Sequence, residues 1–153
     1  METMELIQKL YDSFDQRDGD AMAQCYAPSA TFTDPGFGEL HGEEIGGMWR
    51  MLCATNSQLT VSVSHIVTDD ASGSANWEAR YLFDPKKKSI INKISATYRF
   101  EDGLIVEHID DFSFHTWAKQ ALGLVGMLLG GTSFLQDQVR SQARRRLDSF
   151  MAS

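Results

Sequence analysis

The sequence predicts an α+β domain in which helices lie on one face of a curved, mostly antiparallel sheet. Changes in the spacing of apolar residues point to it. From Met4 to Cys53 they recur at helical intervals, interrupted by one short strand pattern. After Asn56 they alternate through to Phe114, and from Trp117 onward the helical spacing returns. Helices grouped at the ends with strands grouped between them are the signature of α+β rather than of alternating βαβ units.

Met4, Ile7, Leu10, Tyr11 and Phe14 share one face of an expected helix over residues 2–16, ending near Asp18-Gly19. A shorter helix follows, capped by Asp20 and closed by Pro28, with Met22, Cys25 and Tyr26 toward the core. Ala30 to Asp34 reads as a short strand stopped by Pro35-Gly36, and Gly36 to Gly42 as a loop. Glu43 and Glu44 then occupy the first turn of a helix, where the macrodipole favours them. Ile45, Met48, Trp49, Leu52 and Cys53 form its buried stripe.

Leu59, Val61, Val63, His65 and Val67 alternate with Thr60, Ser62 and Ser64, the pattern of a half-buried strand. Asp69 to Ser74 is turn chemistry. Ala75 to Phe83 is a strand with Trp77, Ala79, Tyr81 and Phe83 on one face and Glu78, Arg80 and Leu82 on the other. Asp84 to Lys88 makes the next connection. Ile90 to Phe100 and Leu104 to Phe114 complete a meander through the tight Asp102-Gly103 turn. Trp117 to Leu129 reads as an apolar helix in which Gly123 and Gly126 permit close backbone approach. Val139, Ala143, Leu147 and Phe150 mark one stripe of a last amphipathic helix. These tail helices are expected to pack on the core, to cap the open end of the sheet or to cross to a partner subunit.

At 153 residues and 42% hydrophobic, the chain fits one globular domain with a core and room for a ligand cavity beside it. A formal charge of −7 argues against non-specific binding to nucleic acid or anionic lipid, which needs a concentrated basic face. The one basic cluster, Arg144-Arg145-Arg146, reads as a solvated face or a subunit contact. Cys25 and Cys53 both fall in helical patterns, and the first residues lack the basic-then-apolar layout of a signal peptide, so a cytoplasmic setting is expected. The longest apolar run, Ala121 to Leu135, contains four glycines and is shorter than the roughly 20 residues that span a bilayer.

The candidate site begins on the last strand. Alternation puts Leu104, Val106, His108, Asp110 and Phe112 on one side, apolar apart from His108 and Asp110. A carboxylate among aliphatic and aromatic neighbours loses hydration, which favours its protonated form and suits it to proton transfer. Asp111 points the other way. Asp34, at the end of the first strand, can border the same cavity and titrate with Asp110 as a coupled pair. Its plainer reading is the start of a Pro-Gly turn, as that of Asp110 is a carboxylate bonded to backbone N–H groups, Trp77 or Trp117. Tyr11, Phe32, Trp49, His65, Trp77, Tyr81, Tyr98, Phe112 and Trp117 are the expected lining of an apolar pocket with few polar groups. His65 and His108 lack the close spacing of a metal site, and no Ser-His-Asp order, phosphate loop or dinucleotide fingerprint is readable, so no metal or cofactor is expected.

The element order, with Asp18-Gly19-Asp20, Thr33-Asp34-Pro35, Leu40-His41-Gly42-Glu43-Glu44-Ile45 and the run from Asp102 to His108, resembles the nuclear transport factor two-like superfamily over about residues 4–123. Its SnoaL-like and ketosteroid-isomerase-like members are most similar, and limonene epoxide hydrolases more distantly so. The resemblance implies a cone-shaped, cystatin-like domain over 1–123 with a deep apolar cavity, extended by helices over 124–153, and a homodimer. It places Asp34 on the general base of ketosteroid isomerases. Their oxyanion tyrosine falls on Leu10, beside Tyr11, and their protonated aspartate on Ala96. It places Asp110 on the catalytic aspartate of the epoxide hydrolases, whose arginine and second aspartate fall on Trp77 and Ala79. SnoaL-like cyclases need only an acid like Asp110 and a histidine like His108. The expectation is therefore a protein that takes a small apolar, oxygenated molecule such as a polyketide, terpenoid or steroid. Asp110 would serve as acid/base, Asp34 would tune it and His108 would meet the substrate oxygen. The alternatives are a binding protein without turnover and a protein-interaction module.

Overall fold

The structure is a computed structural model describing residues 2–83 and 88–153. Helix α1 (Glu2–Asp15) buries Ile7, Leu10, Tyr11 and Phe14. Helix α2 (Gly19–Ala23) is capped by Asp18, whose carboxylate accepts the N–H of Ala21. Asp20, the cap expected from the sequence, lies one residue inside the helix and instead pairs with Arg50 at 2.6 Å.

Strand β1 (Tyr26–Asp34) starts earlier than its apolar pattern implies and carries Pro28 within it. The expected loop after it holds a further strand, β2 (Gly38–His41), paired antiparallel with β1. Helix α3 (Glu43–Thr55) follows, and then β3 (Thr60–Thr68), β4 (Ser72–Phe83), β5 (Lys88–Glu101) and β6 (Leu104–Asp111). Of the connection expected at Asp84 to Lys88, residues 84–87 lie outside the described residues and Lys88 already begins β5.

The six strands form one sheet in the order β2-β1-β6-β5-β4-β3. All neighbours are antiparallel except β1 and β6, which run parallel and set Phe32 beside His108. The β5–β6 turn works because Asp102 and Gly103 both take positive φ, 52° and 75°.

Two irregularities shift side chains from where strict alternation would put them. On β3 the pairing slips between Ser64 and Val67, with His65 at φ 55°. Ile66 therefore turns toward the core, while His65 and Val67 face solvent. On β6 the register slips where Arg99 pairs Glu107 and Phe100 pairs Ile105. Ile105, not Leu104 or Val106, thus shares the inner face with His108 and Asp110.

The main core fills the space between the sheet and helices α1–α3, with Trp49 and Trp77 at its centre. Both cysteines are buried and unpaired, and burial pushes each thiol up to about 11. The expected apolar helix after Trp117 is broken at Gly123 into α4 (Phe114–Leu122) and α5 (Leu124–Leu129). A Cβ on Gly126 would lie 1.8 Å from the Ala118 carbonyl oxygen, so only glycine lets α5 fold back this closely on α4. Helix α6 (Ser133–Ala152) returns across α3, buries Leu147 completely in the main core and ties Arg144 to Glu44. No helix among the described residues is long and apolar enough to cross a membrane.

Leu147 is the only fully buried side chain on α6. Leu147→Ala is expected to cost about 2–4 kcal/mol, read as a lower urea midpoint, because the helix has no second buried anchor to fill the gap.

Candidate functional site

At the centre of the sheet β6 presents two polar side chains to an aromatic interior. His108 is 0% and Asp110 4% exposed. Asp110 Oδ1 accepts from Trp77 Nε1 at 3.0 Å and lies 2.8 Å from His108 Nε2. His108 Nδ1 is 2.7 Å from the hydroxyl of Tyr26, which also accepts from Trp49 Nε1 at 3.1 Å. One set of bond directions uses every donor. Trp49 donates to Tyr26, the Tyr26 O–H donates to His108 Nδ1, and His108 Nε2–H donates to Asp110, in line with Trp77. Both ring nitrogens of His108, the Tyr26 hydroxyl and Asp110 Oδ1 thereby have partners, which such buried groups require.

The packing around the imidazole fixes its orientation. Phe32 meets it edge-on at 4.9 Å between ring centres, Tyr98 lies at 4.7 Å, and Tyr26 stacks at 6.0 Å. The hydroxyls of Tyr11 and Tyr98 bond to one another beside this group. Burial, and after it the negative charges around them, hold Tyr11, Tyr26 and Tyr98 well above the ordinary tyrosine range. All three remain hydrogen-bond donors at any physiological pH.

Asp34 sits apart from this group, at the β1–β2 turn. Its Oδ1 accepts the Phe37 N–H at 2.6 Å, the turn-forming bond expected of it. Its carboxyl is nonetheless pushed up to about 7, first by burial, against the Phe37 bond, and then by the charge of Asp110. Helix α6 holds the same turn from outside, because Gln136 Nε2 and Arg140 Nη2 both donate to the Pro35 carbonyl, at 3.2 and 3.3 Å. Arg140 Nε is buried there without a partner.

Of the residues expected to line a pocket, Tyr11, Phe32, Trp49, Trp77 and Tyr98 surround the His108–Asp110 pair. Tyr81 and Trp117 form a separate pair, joined by an indole N–H to hydroxyl bond of 2.8 Å in a second apolar cluster under α4. Burial lifts Tyr81 to about 12. Phe112 packs against both clusters and stands between them. His65 is the exception: the β3 irregularity turns it to solvent beside Ser64, far from the interior it was expected to line.

Tyr26 is the member that sequence reasoning left in the core without a polar role. Its only signal was its helical phase with Met22 and Cys25, whereas its position against His108 comes from the parallel pairing of β1 with β6.

Two open concavities, about 620 and 320 Å3, lie elsewhere: one between Phe37–Glu39 and the arginines of α6, the other along α1. Neither is lined by Asp110. Among the described residues no three His, Cys, Asp or Glu side chains cluster as metal ligands.

The SnoaL-like domain model matches residues 7–108, two thirds of the sequence. The chain belongs to the SnoaL-like family. Among curated proteins, none matches it. Solved structures show the same fold at low identity. An NTF2-like protein of unknown function from Burkholderia pseudomallei superposes with TM-score 0.68 at 19% identity, covering 79% of this chain and 98% of that one. IdmH from Streptomyces antibioticus, a candidate polyketide cyclase, gives 0.67 at 23%, covering 81% and 100%. An LEH-like epoxide hydrolase from M. tuberculosis gives 0.64 at 17%, covering 84% and 96%. This SnoaL-like chain therefore has an NTF2-like architecture shared with proteins of unrelated chemistry, and the family match stops short of α4 to α6.

Two measurements check this geometry. Tyr26→Phe leaves the Trp49 N–H and His108 Nδ1 without their partner, so a loss of about 1–3 kcal/mol is expected in urea titrations. Asp34 binds its proton more tightly in the folded chain than at the ordinary value of 3.8. The stability it adds is therefore full below that value and lost as pH rises to about 7. Subtracting the stability–pH profile of Asp34→Asn from that of the wild type should reveal a fall confined to that interval.

Proposed function

We propose that this SnoaL-like protein takes an apolar, oxygenated small molecule of polyketide, terpenoid or steroid type against Asp110 and moves a proton on it. The observation that carries the reading is the Asp110–His108–Tyr26 chain, withdrawn from water and aligned by two indole N–H groups. Asp110 takes or gives the proton at the substrate carbon. His108, expected to meet the substrate oxygen, has both ring nitrogens engaged by Tyr26 and Asp110 and serves to hold the carboxylate in place. Of the mutually bonded hydroxyls of Tyr11 and Tyr98, the one that does not donate to the other is available to a developing enolate, a role that Leu10 and Ala96 do not fill. Asp34, raised toward neutrality at the mouth of the sheet, tunes Asp110 through its charge. Epoxide opening is disfavoured because Trp77 and Ala79 stand where the epoxide hydrolases carry their arginine and second aspartate, and the shared fold of a candidate polyketide cyclase and an epoxide hydrolase supports the class of ligand rather than either reaction.

One observation favours a second reading. Oδ1 of Asp110 is already engaged by both Trp77 and His108, as in a purely structural polar network.

The three tryptophans, all in or beside these clusters, give the readout. A hydroxylated polycyclic aromatic ketone is expected to quench their emission saturably. Once a turned-over substrate is found, Asp110→Asn should lower turnover by about 100-fold or more while binding stays within a few fold. Absence of any quenching by the wild type, together with an Asp110→Asn loss confined to stability, would establish the structural reading instead.

A further inference from the structure

One face of α6, running through Arg140, Arg144 and Arg145, lines the open cleft of about 620 Å3 opposite Phe37, Gly38 and Glu39. The three arginines differ in their surroundings. Arg144 pairs with Glu44 and, at 3.4 Å, with Asp148. Arg140 and Arg145 form no salt bridge among the described residues. Arg140 is half-buried; its Nη2 donates to the Pro35 carbonyl at 3.3 Å and its Nε is buried without a partner. Arg145 is exposed on the same wall. We propose that this cleft is a binding site for the phosphoryl group of a small organic phosphate, held by Arg140 and Arg145.

The walls of the cleft are tied before any ligand arrives. At one end Gln136 and Arg140 both hold the Pro35 carbonyl. At the other Glu44 accepts the His41 N–H at 2.9 Å through one oxygen and Arg144 through the other, joining β2, α3 and α6. Gly38 lies between these ties at φ 75°, and a Cβ there would stand 3.0 Å from Cδ of Arg140. Glycine thus lets the arginine stem lie against the start of β2. A site whose walls are already fixed loses little of its binding energy to ordering.

The donor set selects the ligand class. Two guanidinium groups without counter-charge call for a dianion with several acceptor oxygens, whereas a single carboxylate is satisfied by one arginine fork. Ser141, on the same wall, adds a hydroxyl donor. The cleft is larger than a phosphate ion alone needs, and Phe37 offers an apolar surface to the organic part. A nucleic acid is a poorer occupant, because the chain bears −7 and Glu39 and Asp137 also line the cleft, confining the positive field to it. Glu39 is drawn toward His41 at 3.5 Å, which leaves Asp137 as the carboxylate that opposes an anion here.

Isothermal titration calorimetry of the full chain with phenyl phosphate at low ionic strength tests the proposal. The wild type should bind it saturably at one site, and benzoate at least about tenfold more weakly. Arg140→Gln and Arg145→Gln should each weaken phenyl phosphate binding by at least about tenfold with circular dichroism unchanged. Arg140 also supports the Pro35 carbonyl, so if its variant fails to fold the exposed Arg145 decides. Asp137→Asn should tighten binding, and Arg146→Gln, which carries the same charge change outside the cleft lining, should leave it unaltered. Absence of saturable binding by the wild type overturns the proposal. An equal loss in Arg146→Gln and Arg145→Gln overturns it in favour of diffuse charge attraction, and benzoate binding as tightly as phenyl phosphate overturns it in favour of a carboxylate.

Discussion

The buried hydrogen bonds between Asp110, His108 and Trp77 constrain the rest of the molecule. A carboxylate and an imidazole in the middle of an aromatic core cost several kcal/mol unless each polar atom is met. Meeting them fixes three strands and a helix at once. Trp77 must come from β4, His108 and Asp110 from β6, Tyr26 from β1, and Trp49 from α3. The parallel pairing of β1 with β6, the one such pair in the sheet, is what lets Tyr26 and Phe32 reach His108. The polar chain therefore specifies register.

Much of this arrangement was legible in the sequence because it follows from local period. The extents of α1 and α3, the β5–β6 turn and the inward pair His108 and Asp110 all rest on spacing within one segment. What was not legible depends on partners far along the chain. Strand β2 carries a single fully buried residue, Leu40, so its four residues show no alternation and exist because β1 offers an edge. The irregularities in β3 and β6 are slips in pairing with a neighbouring strand. They reversed the expectation for His65 and replaced Val106 by Ile105. Tyr26 was hidden for the same reason: its 82-residue separation from His108 leaves no mark on the sequence around it.

The site likewise divides into what residue type alone suggested and what only packing decides. An acid among apolar neighbours identified Asp110. The hydroxyl pair of Tyr11 and Tyr98 could not be foreseen, because it needs the α1 helix to lie across β5. Asp34 shows the turn-forming bond of its plainer reading, to the Phe37 N–H, and its carboxyl is pushed up to about 7, chiefly by burial.

The two sealed thiols carry a practical consequence. Cys25, between α2 and β1, and Cys53, in the last turn of α3, both sit in the main core beneath the helical layer. With each held protonated to about 11 and shut away from solvent, an alkylating reagent can reach them only when that layer lifts. Thiol modification rates on the untouched chain are thus a built-in clock for how often the helices part from the strands beneath, without any engineered label.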